Sequence, residues 1–239
     1  MIQSINRRDS MLETRLAHLA AMVDENTRLA DIGTDHAYLP IDLVKSGKID
    51  FAIASDVAEG PLDNAKTDIL AAGLSKNIET RLGSGLETLR PEDNIQTVVI
   101  AGMGGKLMSD LLETAKVNGN LYPTLILEPN IGEPRVRKWL MENNYQIIQE
   151  EIIDTAGHIY ELIKATLTTS KHSLTDKELL FGPFLLKEKT AVFTKKWTNQ
   201  LAYQKQLLLN LNKAKNKDMA RISEVEQRIK FIEGELEND

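Results

Sequence analysis

From residue 27 to residue 144, short apolar runs of strand length take turns with amphipathic runs of helix length, and few chain architectures accommodate that order. The strand-like runs are "TRLADI", "DFAIASD", "NIETRLG", "IQTVVIAG" and "PTLILEP". The helix-like runs are "YLPIDLVKSG", "GPLDNAKTDILAAG", "KLMSDLLETAKVNG" and "EPRVRKWLMENN". Glycines at 47 and 73 close the first two helices, and Pro61 sits near the start of the second. Strands alternating with helices of this length predict an α/β fold with a parallel sheet covered on both faces. An amphipathic helix over 9–23, capped by Asp9 or Ser10, precedes the series.

The alternation stops at residue 145. "YQIIQEEIIDT", a turn at Ala156-Gly157-His158, and "IYELIKATL" predict an antiparallel hairpin rather than another helix and parallel strand. Beyond residue 175 the period is helical only. Ile222, Val225, Ile229, Ile232 and Leu236 follow a 3-4-3-4 spacing, the seam of a coiled coil. Phe193, Trp197, Leu201, Leu208 and Leu211 form a looser stripe upstream. An antiparallel helical hairpin broken at "NKAKNKD" is the expected arrangement, and dimerisation through this segment is its rival. "TTSKHS" (168–173) marks the joint, giving domains of 1–170 and 171–239.

The chemistry concentrates at the ends of the strand-like runs. "ADIGTDHAYLP" (30–40) places Asp31, Gly33, Thr34, Asp35, His36 and Tyr38 in a strand-to-helix turn. A glycine there lets a ligand approach the backbone, and the helix that follows offers unpaired N–H groups. The dinucleotide pattern G-x-G-x-x-G fails, because Asp35 and Tyr38 stand where its second and third glycines belong. Two carboxylates also suit a pyrophosphate poorly. They suit a cofactor bearing a sulfonium or ammonium charge, such as S-adenosylmethionine. The bland alternative is a turn in which Asp35 caps the helix.

Asp56 ends the second run a little over twenty residues after Gly33, where a carboxylate can accept from ribose hydroxyls; its alternative is a helix cap. Gly83, Ser84, Gly85 and Leu86 follow the third run. "VVIAGMGG" brings Ala101, Gly102, Met103, Gly104 and Gly105 to the end of a buried central strand. So many glycines are costly unless something must approach closely. Ligands in open α/β sheets bind at the carboxyl ends of strands, so these four loops are expected to line one crevice.

The bulk properties limit the rest. The chain has 239 residues and no cysteine, which excludes disulfides, thiolate nucleophiles and cysteine-based zinc sites. No apolar run approaches a membrane span and "MIQSINRRDS" lacks a signal-peptide core, so a cytoplasmic location and no membrane partner are expected. His18, His158 and His172 show no ligand spacing, and no metal site is expected. The net charge is −6, yet residues 171–217 carry ten Lys/Arg against three Asp/Glu, a balance of +7. A basic zone on an acidic chain is either a polyanion footprint or a solvated helix face.

With these residues in place, the sequence resembles the bacterial tRNA (adenine(22)-N(1))-methyltransferase family of class I S-adenosylmethionine-dependent enzymes with a C-terminal coiled coil. The resemblance rests on "RLAHLAAMV", "ADIGTDHAYLP", "IASDV", "AGMGG", "LEPN" followed by "RKWL", and "GHIYELI". It implies a Rossmann-like methyltransferase sheet with an all-α C-terminal domain, S-adenosylmethionine as cofactor and N1 of an adenine in tRNA as the methyl acceptor. By the resemblance, the Asp31–Asp35 turn holds the methionyl part and Asp56 with Val57 the ribose. Gly83–Leu86 then lies on the adenine side, and Gly102–Gly105 forms the floor near the methyl group. Ala37 replaces the third glycine of the first motif, and "AGMGG" stands where amino-group methyltransferases carry Asn-Pro-Pro-Tyr.

Adenine N1 lies on the Watson–Crick edge, so the base must be unpaired or flipped. Asp35, Tyr38, Met103 and Asn130 are the expected catalytic residues, with His36 beside them as pocket wall or cofactor contact. Arg7 and Arg8 are candidate phosphate clamps, and Lys187, Lys189, Lys195, Lys196 and Lys205, with Trp197 among them, a candidate RNA surface. A monomer is expected. Two alternatives share parts of this reading: a small-molecule methyltransferase, which has no use for the basic tail, and a non-catalytic adenosine-binding protein acting through its coiled coil.

Overall fold

The computed structural model describes residues 14–155, 157–214 and 216–237. Arg7, Arg8 and the proposed caps Asp9 and Ser10 lie outside them. A single seven-stranded sheet carries strands β1 (Arg28–Ile32), β2 (Phe51–Asp56), β3 (Ile78–Leu82), β4 (Thr97–Gly104), β5 (Thr124–Ile131), β6 (Tyr145–Thr155) and β7 (His158–Leu167). Their order is β3-β2-β1-β4-β5-β7-β6. The first five strands are parallel; β7 runs antiparallel to both β5 and β6. The expected hairpin is present, and its return strand slides between β5 and the outgoing β6. The chain reverses its direction along the sheet between β1 and β4, which opens a crevice at the carboxyl ends of those strands.

The sheet is covered as its period-2 alternation dictates. Val98, Ile100, Leu125 and Leu127 face one side, packing with Met108 and Leu112 of α4 (Gly105–Val117) and Val136 and Leu140 of α5 (Glu133–Glu142). Leu29, Ala52, Val99 and Ile126 face the other. There they meet Leu19 of α1 (Thr14–Met22), Leu39 and Leu43 of α2 (Tyr38–Lys45), and Ala65 and Ile69 of α3 (Glu59–Ala71). Val98, Val99 and Ile100 are successive and all fully buried, so β4 is the central strand that its apolar run implies. Burial of each such side chain is worth about 1.5–3 kcal/mol.

After β7 come two short helices, α6 (Asp176–Phe181) and α7 (Leu185–Glu188), then the long α8 (Ala191–Lys213) and α9 (Met219–Leu236). Thr175 caps α6 with a capping box to Glu178, while Thr190 and Asp218 cap α8 and α9. The seam Ile222, Val225, Ile229 and Ile232 is buried, as its spacing predicts. The helices do not hang free of the sheet. Phe181, Leu185, Phe193, Trp197 and Ile232 close a third core on Ile152 of β6. Trp197, 4.4 Å from Phe181 in an edge-on pair, is 2% exposed and belongs to that core. This corrects the expectation that it joins the lysines on an RNA surface.

Candidate active site

The loop after β1 is held from below by β2. The backbone N–H groups of Gly33 and Thr34 both donate to the Ser55 carbonyl, at 2.8 and 3.0 Å. Thr34 is buried, and its Oγ1 accepts from the Ala37 N–H at 3.1 Å, shaping the entry to α2. Ala37 itself adopts a left-handed conformation, φ 52°, which explains why glycine or a small residue belongs there. The result is a cleft of about 310 Å³ whose walls include Arg15, Asp31, Gly33, His36, Tyr38 and Gly102.

Asp31 lies at the base of this cleft. Burial raises its pKa from 3.8 to about 6, against a lowering by the Thr34 hydroxyl and the Arg15 charge. A carboxyl that is half neutral near pH 6 gains its full charge when a cation arrives beside it. Asp35 behaves differently: its side chain is 73% exposed and points to the mouth. The paired carboxylates of the motif therefore divide into one buried and one solvated.

His36 and Tyr38 stack with ring centroids 4.8 Å apart and planes within 6°. Nδ1 of His36 is 2.7 Å from Oδ2 of Asp68 on α3, which fixes the imidazole and, through the stack, the half-exposed Tyr38 ring. Asp56 accepts the Ala58 N–H on Oδ1 at 2.7 Å and the Gly83 N–H on its carbonyl at 2.9 Å. The helix-cap alternative is not realised, since α3 has Ala58 at its N-cap with no side-chain bond; Asp56 instead closes a turn that keeps its carboxylate at the end of β2. Val57 beside it is exposed.

On the opposite wall, β4 and β5 lose regular register between Ala101 and Gly104. Asn130 donates from Nδ2 to the Gly102 carbonyl at 2.7 Å. Gly104 leads into α4, and a Cβ on Gly105 would stand 2.5 Å from the Gly132 carbonyl oxygen, so the two loops are packed backbone on backbone.

Not every expected residue reaches one cavity. Gly83 and Ser84 line a separate hollow of about 460 Å³ with Arg81, Glu87, Thr88 and Arg90. Leu86 turns its side chain into the core at 2% exposure, which leaves only its backbone for a ligand. The loops share the carboxyl edge of the sheet, but Asp56 and the turn after it stand between two spaces.

The tail lysines depart furthest from expectation. Lys196 is enclosed, its Nζ bonded to Glu133 and, at 2.7 Å, to Oε1 of Glu161. Burial opposes its charge, yet the two carboxylates raise its pKa above the ordinary value. This corrects its assignment to RNA: a cation held by two carboxylates inside a joint presents nothing to a phosphate. Lys189 binds Glu235, Lys195 binds Asp154 and Lys205 binds Glu233, while Lys187 lies over the Phe184 ring. Much of the basic zone is matched by carboxylates that are distant in sequence.

Three side chains of the cleft region escape sequence reasoning. Arg15 on α1 reaches Oε2 of the fully buried Glu128 at 2.5 Å and lies over the Tyr160 ring. Asp68 anchors His36 from a helix otherwise read as cover. Glu128 did carry a signal, a lone carboxylate inside the apolar run "LILEP", since such a group is buried only with a partner. Among the described residues no three His, Asp or Glu side chains gather closely enough to hold a metal ion, and no helix is long and apolar enough to cross a membrane.

Known proteins share this arrangement. The sequence model of the tRNA (adenine(22)-N(1))-methyltransferase family matches residues 29–234. A Bacillus subtilis tRNA (adenine(22)-N(1))-methyltransferase is 34% identical over 227 residues, covering 92% of this chain and 95% of that protein. A Streptococcus pneumoniae structure in complex with S-adenosyl-L-methionine superposes with TM-score 0.85 at 34% identity, over 95% of this chain and all of that one. A Mycoplasma capricolum structure in complex with S-adenosyl-homocysteine gives TM-score 0.84 at 30% identity, over 95% and 99% of the two chains. Matched along nearly its whole length in sequence and in fold, the chain belongs to the tRNA (adenine(22)-N(1))-methyltransferase family.

Proposed function

We propose that this chain is an S-adenosylmethionine-dependent methyltransferase that modifies N1 of adenine 22 in tRNA. The observation that carries the reading is the cleft at the carboxyl ends of β1 and β4, with the buried Asp31 at its base and Ala101 and Gly102, the start of the glycine run, opposite. The residues fit such a cofactor. A carboxyl with pKa about 6 becomes a strong partner for an ammonium group, and the bare Gly33 backbone admits close approach. Asp56, at the end of the neighbouring strand β2, is assigned to the ribose hydroxyls. When bound, the cofactor supplies a methyl group on a sulfonium, a centre that a neutral ring nitrogen can attack directly.

The chain's own task is then alignment and exclusion of water. The His36–Tyr38 stack, braced by Asp68, offers an aromatic face at the mouth for an unpaired base. The Met103 side chain reaches across to lie against Gly33. Asn130, bonded to the Gly102 carbonyl, ties the substrate-side loop to the floor. Arg15 and Glu128 brace the cleft from α1 and β5. No group with the geometry of a strong base is needed before transfer, because the N1 lone pair is already available at neutral pH. Helices α6 to α9 bear on the tRNA, with Lys187 as a contact candidate and Lys189, Lys195 and Lys205 shared with their carboxylate partners.

Incubation with unmodified tRNA and methyl-labelled cofactor, followed by nucleoside analysis, tests this. Label in 1-methyladenosine at position 22 is the expected product. Label elsewhere, or none with folded and cofactor-competent protein, overturns the reading.

A further inference from the structure

The loop that leads from β5 into α5, residues 130–132, takes in the last two residues of β5 and is fastened to the glycine floor at both ends. Asn130 bonds the Gly102 carbonyl at 2.7 Å, and Gly132 packs on Gly105. Between them the Ile131 side chain is 73% exposed while its backbone pairs with Gly104 of β4, so the segment takes its position from the floor and its anchors rather than from side-chain packing. The next residue, Glu133, opens α5, and the helical tail grips it there through Nζ of Lys196 on α8. Both side chains are largely enclosed, 13% and 17% exposed, so water competes weakly for either. Lys196 is held in turn by Glu161 of β7, to which Arg137 of α5 also donates at 2.5 Å. Arg228 of α9 adds a longer-range attraction for Glu133.

We propose that Lys196 is a positioning residue for methyl transfer: by holding Glu133 it sets the place of loop 130–132 and, through that loop, of the Gly102–Gly105 floor. The C-terminal helices then act on the reaction from behind the cleft as well as bearing on RNA. The reason is mechanical. A carboxylate at the first turn of α5 is favoured by the helix dipole, but its lateral position is undetermined until a buried counter-charge fixes it. Displacement of the floor by about 1 Å is enough to cost on the order of a hundredfold in rate. The proposal rests on the reading that loop 130–132 faces the target base.

Two measurements on Glu133→Gln and Lys196→Met test it. The glutamine variant leaves the Lys196–Glu161 bridge in place and so removes only the link to the loop. Residue-resolved hydrogen exchange should show amides of 102–105 and 130–133 opening about tenfold faster, with β1–β3 unchanged. Unchanged exchange there overturns the proposal, and this readout needs no tRNA, so it stands apart from the assigned activity. In single turnover at saturating tRNA, both variants should lose about tenfold to a hundredfold in rate, with cofactor affinity within about twofold of the parent. Lys196→Arg should recover most of the rate. A loss confined to tRNA affinity, with the saturated rate intact, assigns the pair to RNA binding or to a passive joint and overturns positioning.

Discussion

A Cβ placed on Gly33 would stand 2.4 Å from Cε of Met103, across the cleft from the loop that carries it. That methyl is the free end of a flexible side chain and can turn aside, so this contact alone does not demand glycine at 33. Gly33 holds φ at +80°, where a side chain costs about 1–2 kcal/mol. Gly33→Ala should lower cofactor affinity at least about tenfold, because it combines this strain with a blocked approach. Titration calorimetry reads it, and native affinity in the variant would sink the assignment of this turn to the cofactor.

Asp31 makes cofactor binding and stability depend on pH in opposite senses. Its folded pKa, about 6, exceeds the ordinary 3.8, so folding favours its neutral form. The associated stability is complete below pH 4 and is lost as pH rises through 6, a difference on the order of 3 kcal/mol. Asp31→Asn should thus be more stable than the parent at pH 8 and show little gain at pH 4. Cofactor affinity of the parent should rise between pH 5 and 7, as the charged form that a cation prefers becomes populated. Denaturant titrations at the two pH values, with calorimetry alongside, check both; a variant less stable at pH 8 contradicts the burial argument.

Asp56 serves a turn and, on the present reading, a ligand. Asp56→Asn keeps an oxygen for the Ala58 N–H, whereas Asp56→Ala removes it. Both should weaken the cofactor by roughly 1.5–3 kcal/mol, the value of a hydrogen bond to a charged group. Only the alanine variant should also lower the melting temperature. Equal affinity in parent and both variants would leave Asp56 as a turn residue alone.

Arg137 is fully buried, with Nε 2.7 Å from Glu150 and Nη2 on Glu161. Arg137→Met leaves two enclosed carboxylates sharing only Lys196 and the Phe184 N–H. The expected loss is about 3–5 kcal/mol, because an uncompensated buried charge is costly. Loss of less than about 1 kcal/mol in a denaturant melt would mean that water enters the joint.

Much of this protein is legible in its residues taken a few at a time. Val98 to Ile100 read as a central strand because burial on both faces demands an unbroken apolar run, and β4 is that strand. The seam from Ile222 to Ile232 reads as a packed helix because its spacing keeps one face apolar. Gly33, Asp31 and Asp56 are visible as site residues because glycine and carboxylate at strand ends are expensive without a purpose.

Solvation and pairing are different in kind. Lys196 and Lys187 stand on the same basic stretch, and no periodicity tells the enclosed one from the exposed one. The partners of Lys196 lie 63 and 35 residues away, and Arg15 finds Glu128 across 113 residues. Strand and helix follow from the local repeat of side chains, so the chain alone determined the sheet, its covering helices and the place of the cleft. Which charges remain open to a partner depends on what folding brings within a few ångströms, and the tertiary structure alone decided that Asp35 faces water, Asp31 does not, and Lys196 is closed away against its carboxylates.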